Sequence, residues 1–375
     1  MLRTSDLLGH HISVFNFFGV WRSKDKVKDL QFSIRSFIFI YCIGPLIVAS
    51  IFAAGLHQTD FTDTIISPLY TANIILIFLK ILNVYIKTQK IEDFLDQMDK
   101  VPFFPEAGEK DTKHSTVQKV RFLPIILAVL FISVSLVVLF APVVLGKMTT
   151  ARSIPTWYPF EWEGKFGLCF VLFIFEFVVA VTFATLVVTT DTFLACVLLI
   201  IGGQFESLGY RFKDLPKNNA TIWRTKFKTY IQDYNSICKL CKEFEDIFSG
   251  IILIQALCSC LLICLSAFGL GLAHDIETFL RFLTFLLCML YEVFLTCYAG
   301  DYVADKSKKL LFDLYSSSWP DIPQDCRKML LIFSMKLNNP IIIKFGIIQN
   351  LHLRTFTKVV DGAYKLYALL QQVPE

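Results

Sequence analysis

Residues 166–201 read FGLCFVLFIFEFVVAVTFATLVVTTDTFLACVLLII, and this stretch decides the class of fold. It is much longer than the roughly 20 apolar residues that cross the hydrocarbon core of a bilayer. Its apolar residues do not alternate with polar ones, as they would in a strand of a membrane barrel. Because only helices and closed barrels satisfy the backbone in lipid, the stretch predicts a transmembrane helix.

The composition of the whole chain supports the same class. Hydrophobic residues make up 55% of the 375 residues and charged residues 18%, and the mean hydropathy is +0.57. An average soluble domain has about 25% charged residues. The net charge of +4 is spread along the chain, so a nucleic-acid partner is not expected. The composition therefore predicts an integral membrane protein surrounded by lipid and excludes a disordered or collagen-like chain.

Apolar stretches long enough to span a bilayer occur six times, followed by a weaker seventh. The six cover residues 32–56, 65–86, 124–146, 166–201, 247–273 and 278–300. The seventh is interrupted by Asn338, Asn339 and Pro340 and then continues to Leu370. The sequence therefore predicts seven transmembrane helices.

The distribution of basic residues predicts the orientation. The N-terminal segment and the segments after spans two, four and six together carry 26 Lys and Arg, against three, Lys147, Arg152 and Lys165, on the opposite side. Lys and Arg accumulate in cytoplasmic loops. We therefore expect the N-terminus in the cytoplasm and the C-terminus outside.

The segments assigned to the cytoplasm look helical. Residues 223–246 combine aromatic and aliphatic residues with charges at helical spacing and run without a breaker into span five. Spans four and six likewise continue into charged stretches. We therefore expect an all-α membrane protein in which helix extensions form a cytoplasmic anchor.

The last apolar stretch is too polar for a lipid-facing span. Residues 345–372 read as one helix that includes Asp361 and Lys365 and ends near Leu369 and Leu370. A polar helix face with an apolar constriction is typical of a pore lining, and several subunits must contribute to enclose the pore. Asp361 and Lys365 are spaced i,i+4, so they either neutralise each other or face water.

Ionisable residues inside membrane spans are candidate functional residues. Glu176, Asp191 and Glu292 fall within predicted spans. Asp191 and Glu292 lie toward the cytoplasmic ends of their spans, so an alternative interpretation is that water solvates them.

The sequence contains none of the common motifs of enzymes. Nucleotide-binding loops, the HExxH motif of zinc hydrolases and the GxSxG motif of serine hydrolases are absent. His10 and His11 are adjacent, which is poor spacing for metal ligation, and the Cys238–Cys241 pair has no second pair outside the spans. No enzymatic activity, cofactor or metal site is expected.

A G-protein-coupled receptor also has seven spans, but it has its N-terminus outside. The chain has no Asp-Arg-Tyr after the third span. Asn339-Pro340 is followed by three isoleucines, without the tyrosine that this class carries. This class is therefore the less favoured alternative.

Motifs at the end of the chain carry a family resemblance. Tyr298-Ala299-Gly300-Asp301 lies at the exit of the sixth span, and Tyr315-Ser316-Ser317-Ser318-Trp319 follows it. The last stretch adds Pro340, Gly346, Leu351-His352-Leu353, Phe356, Tyr364 and Leu369-Leu370. These motifs resemble those of insect odorant receptors, and the topology agrees over the whole chain.

The resemblance implies a tuning odorant receptor. Such a subunit binds a small volatile odorant and forms a heterotetramer with co-receptor subunits, which is an odorant-gated non-selective cation channel in the plasma membrane of olfactory sensory neurons. The aromatic character of the pocket suggests an aromatic odorant. A gustatory-type receptor channel, which shares the fold, is the alternative.

The resemblance also implies the functional residues. The odorant pocket would contain Tyr70, Asn73, Ile74, Leu139, Phe140, Phe166, Phe170, Phe173 and Tyr291. Leu369 would be the gate and Gln372 a polar ring beside it, with Asp361 and Lys365 on the same pore helix. Lys365 replaces a small hydroxyl residue usual in the co-receptor, and a cation there opposes cation flow in a homotetramer.

The expected organisation has four parts. Residues 1–31 form a cytoplasmic N-terminal segment, and residues 32–300 form a six-helix ligand-binding bundle with cytoplasmic extensions. Residues 301–344 form anchor helices, and residues 345–375 form the pore-lining helix and a short extracellular tail.

Overall fold

The structure is a computed structural model that describes residues 7–21, 61–101, 110–144, 156–158, 164–216, 220–317, 319, 322, 324–346 and 349–372. Within these ranges the chain forms eight helices and one β-hairpin, whose two strands have two residues each. The first predicted span, residues 32–56, lies outside the described residues.

The helices are numbered here in chain order. They are α1 Gly9–Phe17, α2 Phe61–Lys100, α3 Lys110–Val144, α4 Phe166–Lys213, α5 Ala220–Leu272, α6 Ile276–Tyr315, α7 Gln324–Leu337 and α8 Leu353–Leu370. The strands β1 Lys344–Phe345 and β2 Gln349–Asn350 lie between α7 and α8 and pair antiparallel.

Five of the described helices, α2 to α6, are long and apolar enough to cross a membrane. They confirm the second to the sixth predicted spans. Helix α4 has 48 residues, α5 has 53 and α6 has 40, whereas about 20 residues cross a bilayer. These helices therefore continue well beyond the apolar layer, which confirms the predicted helix extensions.

The extensions pack into a body that we call the charged end, formed by residues 205–213, 220–246, 301–315 and 324–337. Its centre is aromatic: the ring of Phe333 on α7 lies 5.7 Å from Phe212 on α4 and 5.4 Å from Tyr234 on α5. Ion pairs surround this centre, including Arg211–Asp233 at 2.6 Å. Aromatic packing and ion pairs together fix the three helices against each other.

The closest packing of α4 against α6 occurs at a glycine. A Cβ on Gly202 would lie 2.5 Å from Cδ1 of Tyr302, a distance at which atoms overlap. Only glycine lets the two helices approach this closely, because any larger residue would overlap the Tyr302 ring. The apolar parts of α4 and α6 therefore lie side by side.

The final segment differs from the sequence prediction. The sequence predicts a helix from residue 345, but the helix begins at Leu353. Gly346 has φ +62°, which turns the chain back so that β1 pairs with β2, and the Leu351 amide donates to the Ile343 carbonyl at 2.8 Å. Because glycine adopts this backbone conformation readily, the turn replaces the first two helical turns that hydrophobicity alone suggests.

Candidate functional site

A cavity of about 120 Å³ lies between α2, α3, α4 and α6. Its wall contains Tyr70, Asn73, Ile74 and Ile77 of α2, Phe131, Val134, Ser135, Val138 and Leu139 of α3, Phe175, Glu176, Val179, Ala180, Phe183, Ala184 and Val187 of α4, and Phe285 of α6. Thr156 and Tyr158, from the segment before α4, complete it.

The cavity wall is mostly apolar and aromatic. The rings of Tyr70 and Phe285 meet edge to face with centroids 6.1 Å apart. Glu176 is 2% exposed, and its Oε1 accepts hydrogen bonds from Thr156 Oγ1 at 3.4 Å and Tyr158 Oη at 3.5 Å. A dry apolar cavity of about 150 Å³ accommodates benzene, so this one matches a small organic molecule in size.

Four of the nine predicted pocket residues lie in this wall: Tyr70, Asn73, Ile74 and Leu139. The other five lie outside it. Phe140 and Phe173 pack against each other with centroids 6.0 Å apart, and Tyr291 donates to the Leu123 carbonyl at 3.2 Å. Phe166 and Phe170 are exposed on the outer face of α4. As ligand contacts all nine stay predictions.

One helical turn beyond the cavity wall, ionisable side chains from three helices meet. Lys80 Nζ on α2 donates to Asp191 Oδ1 on α4 at 2.5 Å and to Glu292 Oε1 on α6 at 2.6 Å. Gln255 Nε2 on α5 also donates to Glu292 Oε1, at 2.9 Å. We call these four residues the ion network; all are at most 3% exposed.

The ion network corrects one expectation. Asp191 and Glu292 are buried rather than solvated, at 0% and 1% exposure. The sequence interpretation considered each acid alone at the end of its own span. In the folded chain both acids are buried between helices. Lys80 of α2 supplies the opposite charge that makes their burial tolerable.

The ion network also borders the last helix. A void of about 20 Å³, large enough for one water molecule, lies between α5, α6 and α8. Gln255 and Val293 line it from the bundle, and Thr355 and Val359 line it from α8. The side chain that completes the ion network therefore lies against the helix that the sequence predicts to line a pore.

Helix α8 has one packed face and one exposed face. Its packed face contains Thr355 and Ala363, which are buried against the bundle. Its other face carries an exposed row at i,i+3 and i,i+4 spacing, which continues two residues past the helix end and which we call the α8 row: Arg354, Lys358, Asp361, Lys365, Leu369 and Gln372.

The predicted pore residues all belong to the α8 row. Leu369 is 60% exposed although it is a large apolar side chain. Among the ion pairs between described residues, none joins Asp361 to Lys365, and both side chains are exposed. The structure thus forms no neutralising pair between Asp361 and Lys365, and that this helix face is directed toward water stays a prediction.

A sequence profile of the family described as 7tm odorant receptor matches residues 60–364. The chain belongs to the odorant receptor family. The match begins at the start of α2 and ends within α8, so it includes the cavity, the ion network and the first three residues of the α8 row.

Curated odorant receptors of Drosophila melanogaster are similar to the chain. Odorant receptor 19a is 24% identical over 223 residues, which is 58% of both chains. Odorant receptor 94a is 27% identical over 221 residues, or 57% of this chain and 56% of its own. The chain thus spans little more than half of these relatives. Isoform B of odorant receptor 46a is 22% identical over 99% of both chains.

The solved structure of the insect olfactory receptor OR5 from Machilis hrabei has the same fold. It superposes with a TM-score of 0.85, covers 99% of this chain and 98% of its own, and is 16% identical. A second structure of that receptor, in complex with eugenol, superposes equally well. This odorant receptor is accordingly a multi-pass membrane protein of a ligand-binding family, not an enzyme.

Two groups of site residues of this odorant receptor were not predicted from its sequence. Lys80 lies inside an apolar span. Ionisable residues inside spans are candidate functional residues, and this criterion identifies Lys80 when it is applied to cations as well as to acids. The second group is the aromatic wall of Phe131, Phe175, Phe183 and Phe285. With 37 Phe in the chain, no sequence pattern separates a cavity wall from ordinary span packing.

Proposed function

We propose that the chain is the odorant-binding tuning subunit of a heteromeric, odorant-gated, non-selective cation channel. The α8 row carries this proposal. Charged and polar side chains along one helix face, ending in exposed Leu369, are unsuited to lipid and suited to an aqueous path. One such helix cannot enclose a path, so other subunits supply the remaining walls.

The proposed ligand is a small volatile molecule, with an aromatic one favoured. The cavity has about 120 Å³ and mostly apolar walls, so binding is driven by burial at about 25 cal/mol per Å² of apolar surface. Edge-to-face partners such as Tyr70 and Phe285 suit an aromatic ring. That a Machilis relative was solved with eugenol supports this ligand class.

The proposed mechanism is a shift of population. The odorant binds the open conformation more tightly than the closed one, and this difference moves α8 so that Leu369 leaves the channel axis. The ligand can shift the equilibrium only by its difference in affinity for the two states.

The proposed partners are odorant receptor co-receptor subunits in a heterotetramer, in the plasma membrane of olfactory sensory neurons. The charged end would be the cytoplasmic anchor, because it carries 13 of the 26 Lys and Arg on the side assigned to the cytoplasm. The outer faces of α3 and α4 expose large apolar residues such as Ile125, Ile132 and Val171, which suit contact with lipid.

Whole-cell recording with a panel of small volatile compounds tests the proposal. The chain and a co-receptor are expressed together in cells whose G-protein signalling is blocked. We expect odorant currents that require both subunits and reverse near zero millivolts. A response that disappears when G-protein signalling is blocked, or the absence of any odorant current with the co-receptor, would contradict it.

A further inference from the structure

We propose that the ion network of Lys80, Asp191, Glu292 and Gln255 transmits occupancy of the cavity to α8. The inference rests on the proposed function in one respect, namely that α8 is the helix that moves in gating. It assigns a positioning role to four residues that touch neither the ligand cavity nor the α8 row.

The first step is the contact between cavity and ion network along two helices. Ile77, in the cavity wall, precedes Lys80 by three residues on α2. Val187, also in the wall, precedes Asp191 by four residues on α4. Residues three and four apart lie on the same face of a helix. A ligand that displaces either wall residue therefore displaces the charged side chain on the next turn.

The second step is the connection to α8. Glu292 Oε1 accepts hydrogen bonds both from Lys80 and from Gln255, so a movement of Lys80 changes the partner of Gln255. Gln255 lines the 20 Å³ void whose opposite wall is Thr355 and Val359 of α8. A void at this point gives α8 room to move without first expelling packed atoms.

The third step is that the ion network has alternative arrangements available. Within the described residues Asp191 Oδ2, Glu292 Oε2 and Gln255 Oε1 are buried without a hydrogen-bond partner. Lys80 can therefore exchange one carboxylate oxygen for another without losing its ion pairs. Packed interiors transmit small displacements when two discrete arrangements exist, and shared acceptors supply them here.

A cavity-filling substitution replaces the unidentified ligand in the test. Ala180 lies in the cavity wall, and Ala180→Phe places a phenyl ring in a space of benzene size. Movement of α8 is measured as the rate at which a membrane-impermeant thiol reagent modifies Leu369→Cys in the full-length chain in membranes. The rate of the chain without Leu369→Cys is subtracted.

The two backgrounds are the native ion network and a neutral one. The neutral network combines Lys80→Met, Asp191→Asn and Glu292→Gln, which keep size and shape and leave no unpaired buried charge. In the native background we expect Ala180→Phe to change the modification rate by about fivefold or more. In the neutral background we expect a change below about 1.5-fold.

Two further variants keep the test decisive. Gln255→Leu retains all three ionisable side chains but removes the hydrogen bond from α5, and it should suppress the effect of Ala180→Phe as the neutral network does. The matched control neutralises the Lys306–Glu206 pair, which joins α6 to α4 at the charged end, by Lys306→Met and Glu206→Gln. It should leave the response of Leu369→Cys to Ala180→Phe intact.

Equal responses in the native and neutral backgrounds, or no response in the native background, overturn the proposal. If the neutral network does not fold, the result with Gln255→Leu decides. The test measures movement of α8 and not current. A coupled α8 in a chain that yields no odorant current would therefore contradict the proposed function and leave this inference standing.

Discussion

Lys80 is one cation between two carboxylates in the apolar interior of the bundle. Removing one member of a buried ion pair leaves an uncompensated charge, which costs about 3–5 kcal/mol. We therefore expect Lys80→Met alone to lower the thermal stability of the purified receptor strongly. The triple neutral variant should be markedly more stable than the single one in thermal unfolding, and a triple variant as unstable as Lys80→Met would contradict this account.

His11 on α1 is buried with a single hydrogen-bond partner among the described residues. Its Nε2 lies 3.0 Å from Thr192 Oγ1, which itself donates to the Val188 carbonyl, so Nε2 carries the proton and donates. Burial, and to a lesser degree the neighbouring His10, lowers the pKa of His11 to about 4. The neutral side chain is therefore the form that packs against α4.

A pH dependence of stability follows from this lowered pKa. The unfolded chain takes up a proton below its ordinary value near pH 6.5, whereas the folded chain does so only near pH 4. The contribution of neutral His11, about 3 kcal/mol, is complete above pH 7 and is lost as the pH falls toward 4. Thermal midpoints measured from pH 7.5 to 5 should fall less for His11→Gln than for the native chain.

Leu369 is the apolar member of the α8 row. If it narrows the channel at its axis, truncation widens and wets the constriction. We expect Leu369→Ala, expressed with a co-receptor, to raise the current measured without odorant several-fold. Leu370, its less exposed neighbour, provides the control Leu370→Ala, and unchanged basal current and odorant response in Leu369→Ala would remove Leu369 from the gate.

Among the helices, α6 and the segment that leads into α8 meet at Gly300. A Cβ there would lie 2.5 Å from Leu351 Cγ and 2.6 Å from the Leu351 carbonyl oxygen. Gly300→Ala should therefore push the start of α8 away from α6 and cost about 1–3 kcal/mol. Gly250 on α5 has open space around it, so Gly250→Ala should slightly raise the thermal midpoint instead.

The helices were largely predictable from hydrophobicity, whereas their relations to one another were not. Apolar length located α2 to α6, and unbroken polar continuations predicted their extensions. The hairpin before α8 depends on one glycine with positive φ, which hydrophobicity does not register. Helix α4 is apolar on nearly all sides, so its sequence does not distinguish the wall residue Phe175 from Phe170 on its surface.

At the scale of the whole molecule, the 26 Lys and Arg assigned to one side of the membrane, against three on the other, predict the orientation. We expect an N-terminal tag to be reached by antibody only after the plasma membrane is permeabilised, and a C-terminal tag to be reached in intact cells. Both tags are checked in the same cell line. The opposite pattern of labelling would show that the chain is inverted in the membrane and would contradict an α8 row that leads outward.

The arrangement of the cavity and the ion network needed tertiary structure. Spans two, three, four and six were the expected location of the ligand, and the cavity lies between those helices. Lys80 and Glu292, which form an ion pair, are more than 200 positions apart in the sequence. No local sequence pattern predicts such a contact. Periodicity predicts which faces are apolar, but not which faces oppose each other.

The α8 row carries three cations, Arg354, Lys358 and Lys365, against one anion, Asp361. Each copy of this chain around a shared conduit would therefore add net positive charge to the route taken by permeating cations. Single-channel conductance should then decrease stepwise as more copies of this chain enter the assembly. Electrical recordings from concatenated subunits of fixed composition would thus count the copies in the native complex.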